Sequence, residues 1–292
     1  MAAINRKRVE SSESEDPEEV SSDEETELEE DCIWVAETTE GSNVKSLLDM
    51  FKKTKSVSAF NINQDGIGIV VMPGPDTFYD TILDAEKFQE YYCEIPRFFH
   101  IDPEHAHTSL KSVKKKDSIR LEIRRENPDQ LVLIIMQKDS MKRHKESIIP
   151  IQNARNTLVK PPENYNYPVI SASSEYNKMC RELHSVGKVF TVTAGIGWVC
   201  FAAVGSSITS QVVLGKKEKQ RKNKIMFTGT FASSNLVALG KSSSMSTNIQ
   251  IYTSPELPLR IQFDIGTLGF MNAYIRSTEQ IGILQDSNIE QE

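Results

Sequence analysis

Cysteine is scarce in this sequence, and long apolar runs are missing. The four cysteines, Cys32, Cys93, Cys180 and Cys200, stand far apart with no CxxC pair. That spacing excludes a zinc ribbon and a disulfide scaffold and points to a reducing compartment. No stretch reaches the roughly 18 apolar residues that a spanning helix needs. The nearest, Val189 to Gly205, is broken by Ala194-Gly195-Ile196-Gly197 and reads as two strands around a turn. No apolar leader follows Met1, so the expected place is intracellular, not secreted, with no membrane partner.

The signatures of bond-making chemistry are also incomplete. Gly240-Lys241-Ser242 ends like a phosphate-binding loop, but the position five before Gly240 is Asn235, so the nucleotide cradle is lost. Gly195-x-Gly197 has Cys200 where a third glycine belongs and leads into a strand, which removes the dinucleotide fingerprint. His100, His105, His107, His144 and His184 lack partners at ligand spacing. His105 and His107, two apart on a helical stretch, face different directions and read as surface residues. The sequence therefore calls for no enzyme, no cofactor and no metal.

Charge is present but unevenly placed. The whole chain carries −7, while Met1 to Asp31 alone holds 13 acids against Arg6, Lys7 and Arg8, a net of −10 that leaves the body at +3. A tail with so few apolar residues cannot offset its ordering entropy, so residues 1–32 read as a disordered acidic tail.

The body reads as short strands, among them Ser118–Ile123, Leu131–Met136, Lys188–Thr193, Trp198–Ala203, Asn248–Tyr252 and Leu259–Phe263. Helical spacing appears over Asn43–Lys53 and Ser174–Val186, and more faintly over Glu104–Val113 and Ser233–Gly240. These elements recur in order. Gly66-Ile67-Gly68 returns as Gly195-Ile196-Gly197 after 129 residues, and Lys111, eight before Ile119, returns as Lys241, eight before Ile249. Two diverged copies of one unit are expected: residues 33–144 and 168–277, with 145–167 a connector rich in Pro and Asn and 278–292 a C-terminal tail.

All four helical stretches carry cations: Lys45, Lys52 and Lys53; Lys111 and Lys114; Lys178 and Arg181; and Lys241. Singly each reads as a solvated face; together they suit a surface lying along phosphates without reading bases. The helices lack aromatic stacking platforms, which favours duplex over single strands. Lys216 to Lys224 reads as a basic loop that could add backbone contact or serve import.

Two stretches carry a resemblance. Ser173-Ser174-Glu175-Tyr176-Asn177-Lys178-Met179-Cys180-Arg181-Glu182-Leu183-His184-Ser185-Val186-Gly187 resembles the first helix of the second domain of the proliferating cell nuclear antigen family of DNA sliding clamps. Glu256 to Phe270 is similar to that family's C-terminal strand pair. The resemblance runs from about Ile33 to Ser277. It implies an α+β DNA clamp fold with two duplicated domains, helices lining a central hole and antiparallel sheets outside, closed as a homotrimeric ring.

The implied role is a polymerase processivity factor in replication and repair. Its implied partners are double-stranded DNA bound without sequence preference, a DNA polymerase and other clamp-binding proteins, a clamp loader and further copies of itself, in a nucleus or at a viral replication site. By position, DNA contacts fall on Lys45, Lys52, Lys53, Lys111, Lys114, Lys178, Arg181 and Lys241. A partner peptide with an apolar plug is expected at Ile62, Ile67, Ile69, Leu158, Pro258 and Tyr274. Subunit contacts fall on Ile148, Ile149 and Ile151 against Gln211, Val212, Val213 and Leu214. Where the family carries a second aromatic beside Tyr274 this chain has Ala273, and Arg276 and Ser277 replace a small residue and a proline. A specialised or heteromeric clamp, and a β-rich scaffold that does not bind DNA, are the alternative readings.

Overall fold

The computed structural model describes residues 31–137, 143–154, 160–216 and 224–282. The acidic tail, Leu158 and most of the Lys216–Lys224 run lie outside them. The first half runs β1 (Cys32–Thr38), α1 (Gly41–Thr54), β2 (Ser58–Asn63), β3 (Gly66–Gly74), β4 (Thr77–Asp84), β5 (Glu90–Cys93), β6 (Arg97–Ile101), α2 (Pro103–Leu110), β7 (Ser118–Arg124), β8 (Gln130–Met136) and β9 (Arg143–Pro150). A two-residue strand, β10 (Gln152–Asn153), follows. The second half repeats the order as β11 (Val169–Ala172), α3 (Ser173–Val186), β12 (Val189–Gly195), β13 (Trp198–Val204), β14 (Thr209–Gly215), β15 (Phe227–Ala232), α4 (Ser233–Ala238), a 3-10 turn (Leu239–Ser244), β16 (Asn248–Tyr252), β17 (Leu259–Ile265) and β18 (Gly269–Ile275).

The spacing of apolar residues explains the helices. α1 turns Val44, Leu47, Leu48, Met50 and Phe51 into the core, and α3 does the same with Tyr176, Met179, Cys180 and Leu183. Burying each such side chain contributes about 1.5–3 kcal/mol. α2 starts cleanly because Pro103 sits in its first turn and the Asp102 carboxylate accepts the Glu104 N–H at 2.8 Å.

The strands form three sheets. Five strands run β5-β1-β7-β8-β9, four run β14-β13-β12-β15, and nine run β10-β6-β2-β3-β4-β18-β17-β16-β11. The nine-stranded sheet is where the halves meet: β4 of the first pairs antiparallel with β18 of the second, from Gly269↔Leu83 to Ile275↔Thr77. That joint packs closely, since a Cβ on Gly269 would sit 2.0 Å from the Ile82 carbonyl oxygen.

The structure revises two sequence expectations. The hairpin β2–β3 closes on Asn63↔Gly66 and β12–β13 on Gly195↔Trp198, so Gly66 corresponds to Trp198. The two glycine triplets are three residues out of step; the hairpins repeat, but the match in sequence does not mark it. The expected connector is also partly strand. Through Pro150 it belongs to β9, and β10 pairs with β6, so Ile149 and Ile151 are buried because they pack beneath a sheet.

Candidate nucleic-acid interface and partner groove

The four helical segments make one layer across both halves: α1 meets α2, α3 meets α4 and the 3-10 turn, and α1 also meets that turn. The predicted cations lie on this layer but play unequal parts. Lys53, Lys111, Lys114 and Arg181 are exposed and make no ion pair among the described residues. Lys178 pairs with Glu182 at 3.8 Å and Lys52 with Glu104 at 3.6 Å. Such exposed pairs are worth about 0–1 kcal/mol and yield readily to a phosphate.

Lys45 and Lys241 are braces. The Lys45 ammonium donates to the carbonyls of Lys111 at 2.8 Å and Val113 at 2.9 Å, satisfying oxygens left open where α2 ends. Lys241 reaches across the joint to Asp49 on α1 at 2.7 Å. Burial alone would raise the Asp49 carboxyl; the Lys241 hydrogen bond and charge, with Lys53 and His107, pull it below the usual range. His107 is likewise no surface residue. Its Nε2 lies 3.4 Å from Asp49 and its Nδ1 is buried without a partner. Burial lowers its pKa and the nearby Lys52, Lys45 and Lys111 lower it further, while Asp49 opposes them. Sequence reasoning missed Asp49, although its spacing, four residues after Lys45 and four before Lys53, puts it on their helix face.

A groove of about 340 Å³ opens on the connector side of the nine-stranded sheet, lined by Met72, Phe78, Lys160, Pro162, Pro258, Tyr274 and Arg276 among others. Pro258 and Tyr274 were expected there. Ile62, Ile67 and Ile69 were expected too, and the structure overturns that: all three are buried in the core of the first half and cannot touch a docked peptide. Their place is taken by Met72, half exposed and of opposite parity to Ile67, Ile69 and Val71 along β3. The groove wall is held by Tyr165, which donates to the Pro258 carbonyl at 2.9 Å, and by Arg260, stacked 4.5 Å over Tyr252 and 5.9 Å from Tyr274.

Two sheet edges complete the candidate surfaces. Among the described residues, β9 pairs only with β8, and β14 only with β13. Ile148, Val213 and Gln211 face outward, while Ile149, Ile151 and Leu214 are buried and Val212 is half buried. Of the expected contact residues, those three buried ones can offer a neighbour only backbone. By the repeat, β14 matches β4 and β9 matches β18. The free edges are therefore the repeat counterparts of the two strands that pair inside the chain.

The family model for the N-terminal domain of proliferating cell nuclear antigen matches residues 33–153, and that for its C-terminal domain matches 160–278. The chain belongs to the proliferating cell nuclear antigen family. Among relatives in this family, the "Probable DNA polymerase sliding clamp 1" of Paramecium bursaria Chlorella virus 1 is 22% identical over 256 residues, covering 82% of this chain and 94% of that protein. The proliferating cell nuclear antigen of Dictyostelium discoideum is 20% identical over 255 residues, covering 83% of this chain and 98% of its own length. The crystal structure of the Entamoeba histolytica protein shares the family fold at a TM-score of 0.73 and 18% identity, covering 85% of this chain and 99% of that one.

Proposed function

We infer that this chain is a DNA sliding clamp, a processivity factor that encircles duplex DNA and does no bond chemistry itself. The family match over both halves carries this reading. The helix layer supports it: exposed cations on α1, just after α2 and on α3, with Lys178 and Lys52 only weakly paired, give a surface that follows phosphates at any sequence. Lys45 and Lys241 shape that surface more than they contact DNA.

Ring closure is read from the strands. A joint like β4·β18 has its counterpart in β14 and β9, which end different sheets of the chain, so β9 of one copy joins β14 of the next. Joining five strands to four rebuilds a nine-stranded sheet like the internal one. A heterologous contact of this kind forms a closed ring when its rotation closes. We take 33–144 and 168–277 as the two clamp domains and three identical chains as the ring. A polymerase and other clamp-binding proteins dock in the groove at Met72, Pro258 and Tyr274, a loader opens the ring, and the site of work is a nucleus or a viral replication site.

The test is charge reversal at Lys53, Lys111 and Arg181 together. Polymerase run length on primed DNA should collapse while the light-scattering mass stays that of a trimer. The slope of log binding constant against log salt should fall by about one per phosphate contact removed. Unchanged run length overturns the DNA-facing assignment, and a native chain scattering as a monomer overturns the homotrimer.

A further inference from the structure

A cavity of about 510 Å³ lies where β9 ends, beside α2. Its lining includes Val57 just before β2, His100 on β6, Glu104 and His105 at the start of α2, and Pro150. Val57 is 56% exposed, an apolar side chain open to the cavity. The charges nearby are answered locally: Lys52 pairs with Glu104 at 3.6 Å, and the Asp102 carboxylate caps α2. Such a site suits an uncharged, partly apolar guest.

The internal joint shows what fills the corresponding place. There the turn Pro75-Asp76 leads into β4, and Thr77, opposite Ile275, is only 4% exposed. The Asp76 carboxylate accepts the side-chain amide of Asn235, on α4, at 2.6 Å. Each part has a counterpart along the repeat. Gly74↔Thr77 closes the β3–β4 turn, and the Gly205 N–H donates to the Ile208 carbonyl at 2.8 Å, so Ser206-Ser207 stands for Pro75-Asp76 and Ile208 for Thr77. Asn235 lies three residues past the N-cap of α4, as His105 does past that of α2. Ile275 pairs with Leu259 and Ile149 with Leu131, so Arg276 and Pro150, the next residues, correspond.

The cavity therefore holds, beside the edge of β9, the place where a turn is gripped beside the internal joint. The matching turn ends in Ile208, which is 64% exposed. One difference sharpens the match. The Arg276 N–H donates to the Asp76 carbonyl at 2.8 Å, a bond that Pro150, with no N–H, cannot make. A backbone ladder along β9 stops at Ile149, and side chains must hold the turn beyond it.

We propose that the Gly205–Ile208 turn of the next copy of this chain fills the cavity, with Ile208 against Val57 and Pro150 and Ser207 against His105. The proposal rests on the reading of β9 and β14 as the ring boundary. It adds to that pairing a contact that selects the partner. Backbone pairing accepts any strand, whereas the cavity accepts a chain whose turn is uncharged and ends in an apolar residue.

The experiment uses the full chain. Ile208→Asp should raise the concentration at which the light-scattering mass falls to that of one chain by about tenfold for each contact. The circular dichroism should not change, because Ile208 is exposed in the single chain. In a mixture of His105→Cys chains and Ser207→Cys chains, a short bismaleimide should join one chain of each kind. Neither variant alone should cross-link, since the four native cysteines are buried. A native trimer that gives no such cross-link, or that dissociates at the same concentration after Ile208→Asp, overturns the proposal and leaves the ring reading standing. A native chain that scatters as a monomer at every concentration overturns both.

Discussion

The joint between β4 and β18 and the free edges of β9 and β14 are the same structural idea in two conditions. Inside the chain, seven residue pairs close the joint over a buried floor of Tyr79, Met271, Ala273 and Ile275. At the edges the same kinds of strand end in open backbone, with Ile148 and Val213 turned outward. The first is held by the covalent chain at any concentration, whereas the joint proposed for the second would form only by mass action. The difference teaches that, on the ring proposed above, folding and assembly are separable, and an exposed edge, ordinarily an aggregation hazard, becomes tolerable once an identical copy covers it.

The largest expected effect comes from breaking the outer joint. Ile148→Asp with Val213→Asp sets carboxylates on both edges, and the mass by light scattering should fall from a trimer to the 32.9 kDa chain with the circular dichroism unchanged. A stable trimer after both changes would separate the edges from assembly. Next comes the inner joint. Met271→Ala empties a fully buried site and should cost about 2–5 kcal/mol in urea unfolding, whatever the protein concentration. A loss that appears only on dilution would show that the two joints are one cooperative unit.

The smallest effect tests the segment that leaves β18. The Glu279 carboxylate accepts the Thr230 N–H at 3.1 Å, on the edge strand β15. Burial would raise its pKa, but the Thr230 and Ser277 hydrogen bonds hold it at about 2, below the usual 4.5. An acid depressed on folding stabilises fully above its ordinary value and loses that contribution as pH falls from 4.5 toward 2. Because Glu279 is exposed, the contribution is below about 1 kcal/mol. The protection factor of the Thr230 amide, its exchange corrected for the intrinsic pH dependence, should therefore fall over that range in the native chain and stay flat in Glu279→Gln.

Much of the fold was legible because the signals were periodic. The apolar stripes of α1 and α3 and the offset from Lys111 to Lys241 survive translation into structure: β7 and β16 begin at Ser118 and Asn248, 130 residues apart. The groove was legible only in part. Along β3 both faces are apolar, Ile67, Ile69 and Val71 on one and Val70 and Met72 on the other, so alternation defines two faces without saying which one points inward. The braces were hidden for another reason. Lys45 and Lys241 resemble Lys53 in composition, and only three-dimensional neighbours, a helix-end carbonyl for one and Asp49 for the other, separate a structural cation from an available one.

The Asp49–Lys241 bridge has a companion in Glu40, whose carboxylate accepts both the N–H and the hydroxyl of Thr267 at 2.7–3.1 Å. Both tie α1 to the second half. Two cross-ties beside a continuous sheet make each chain a single stiff lever, so the three-chain ring proposed above would have three hinges and not six. Torque applied anywhere on such a ring would be delivered to a boundary between chains, so whatever opened it would find the place of opening already chosen.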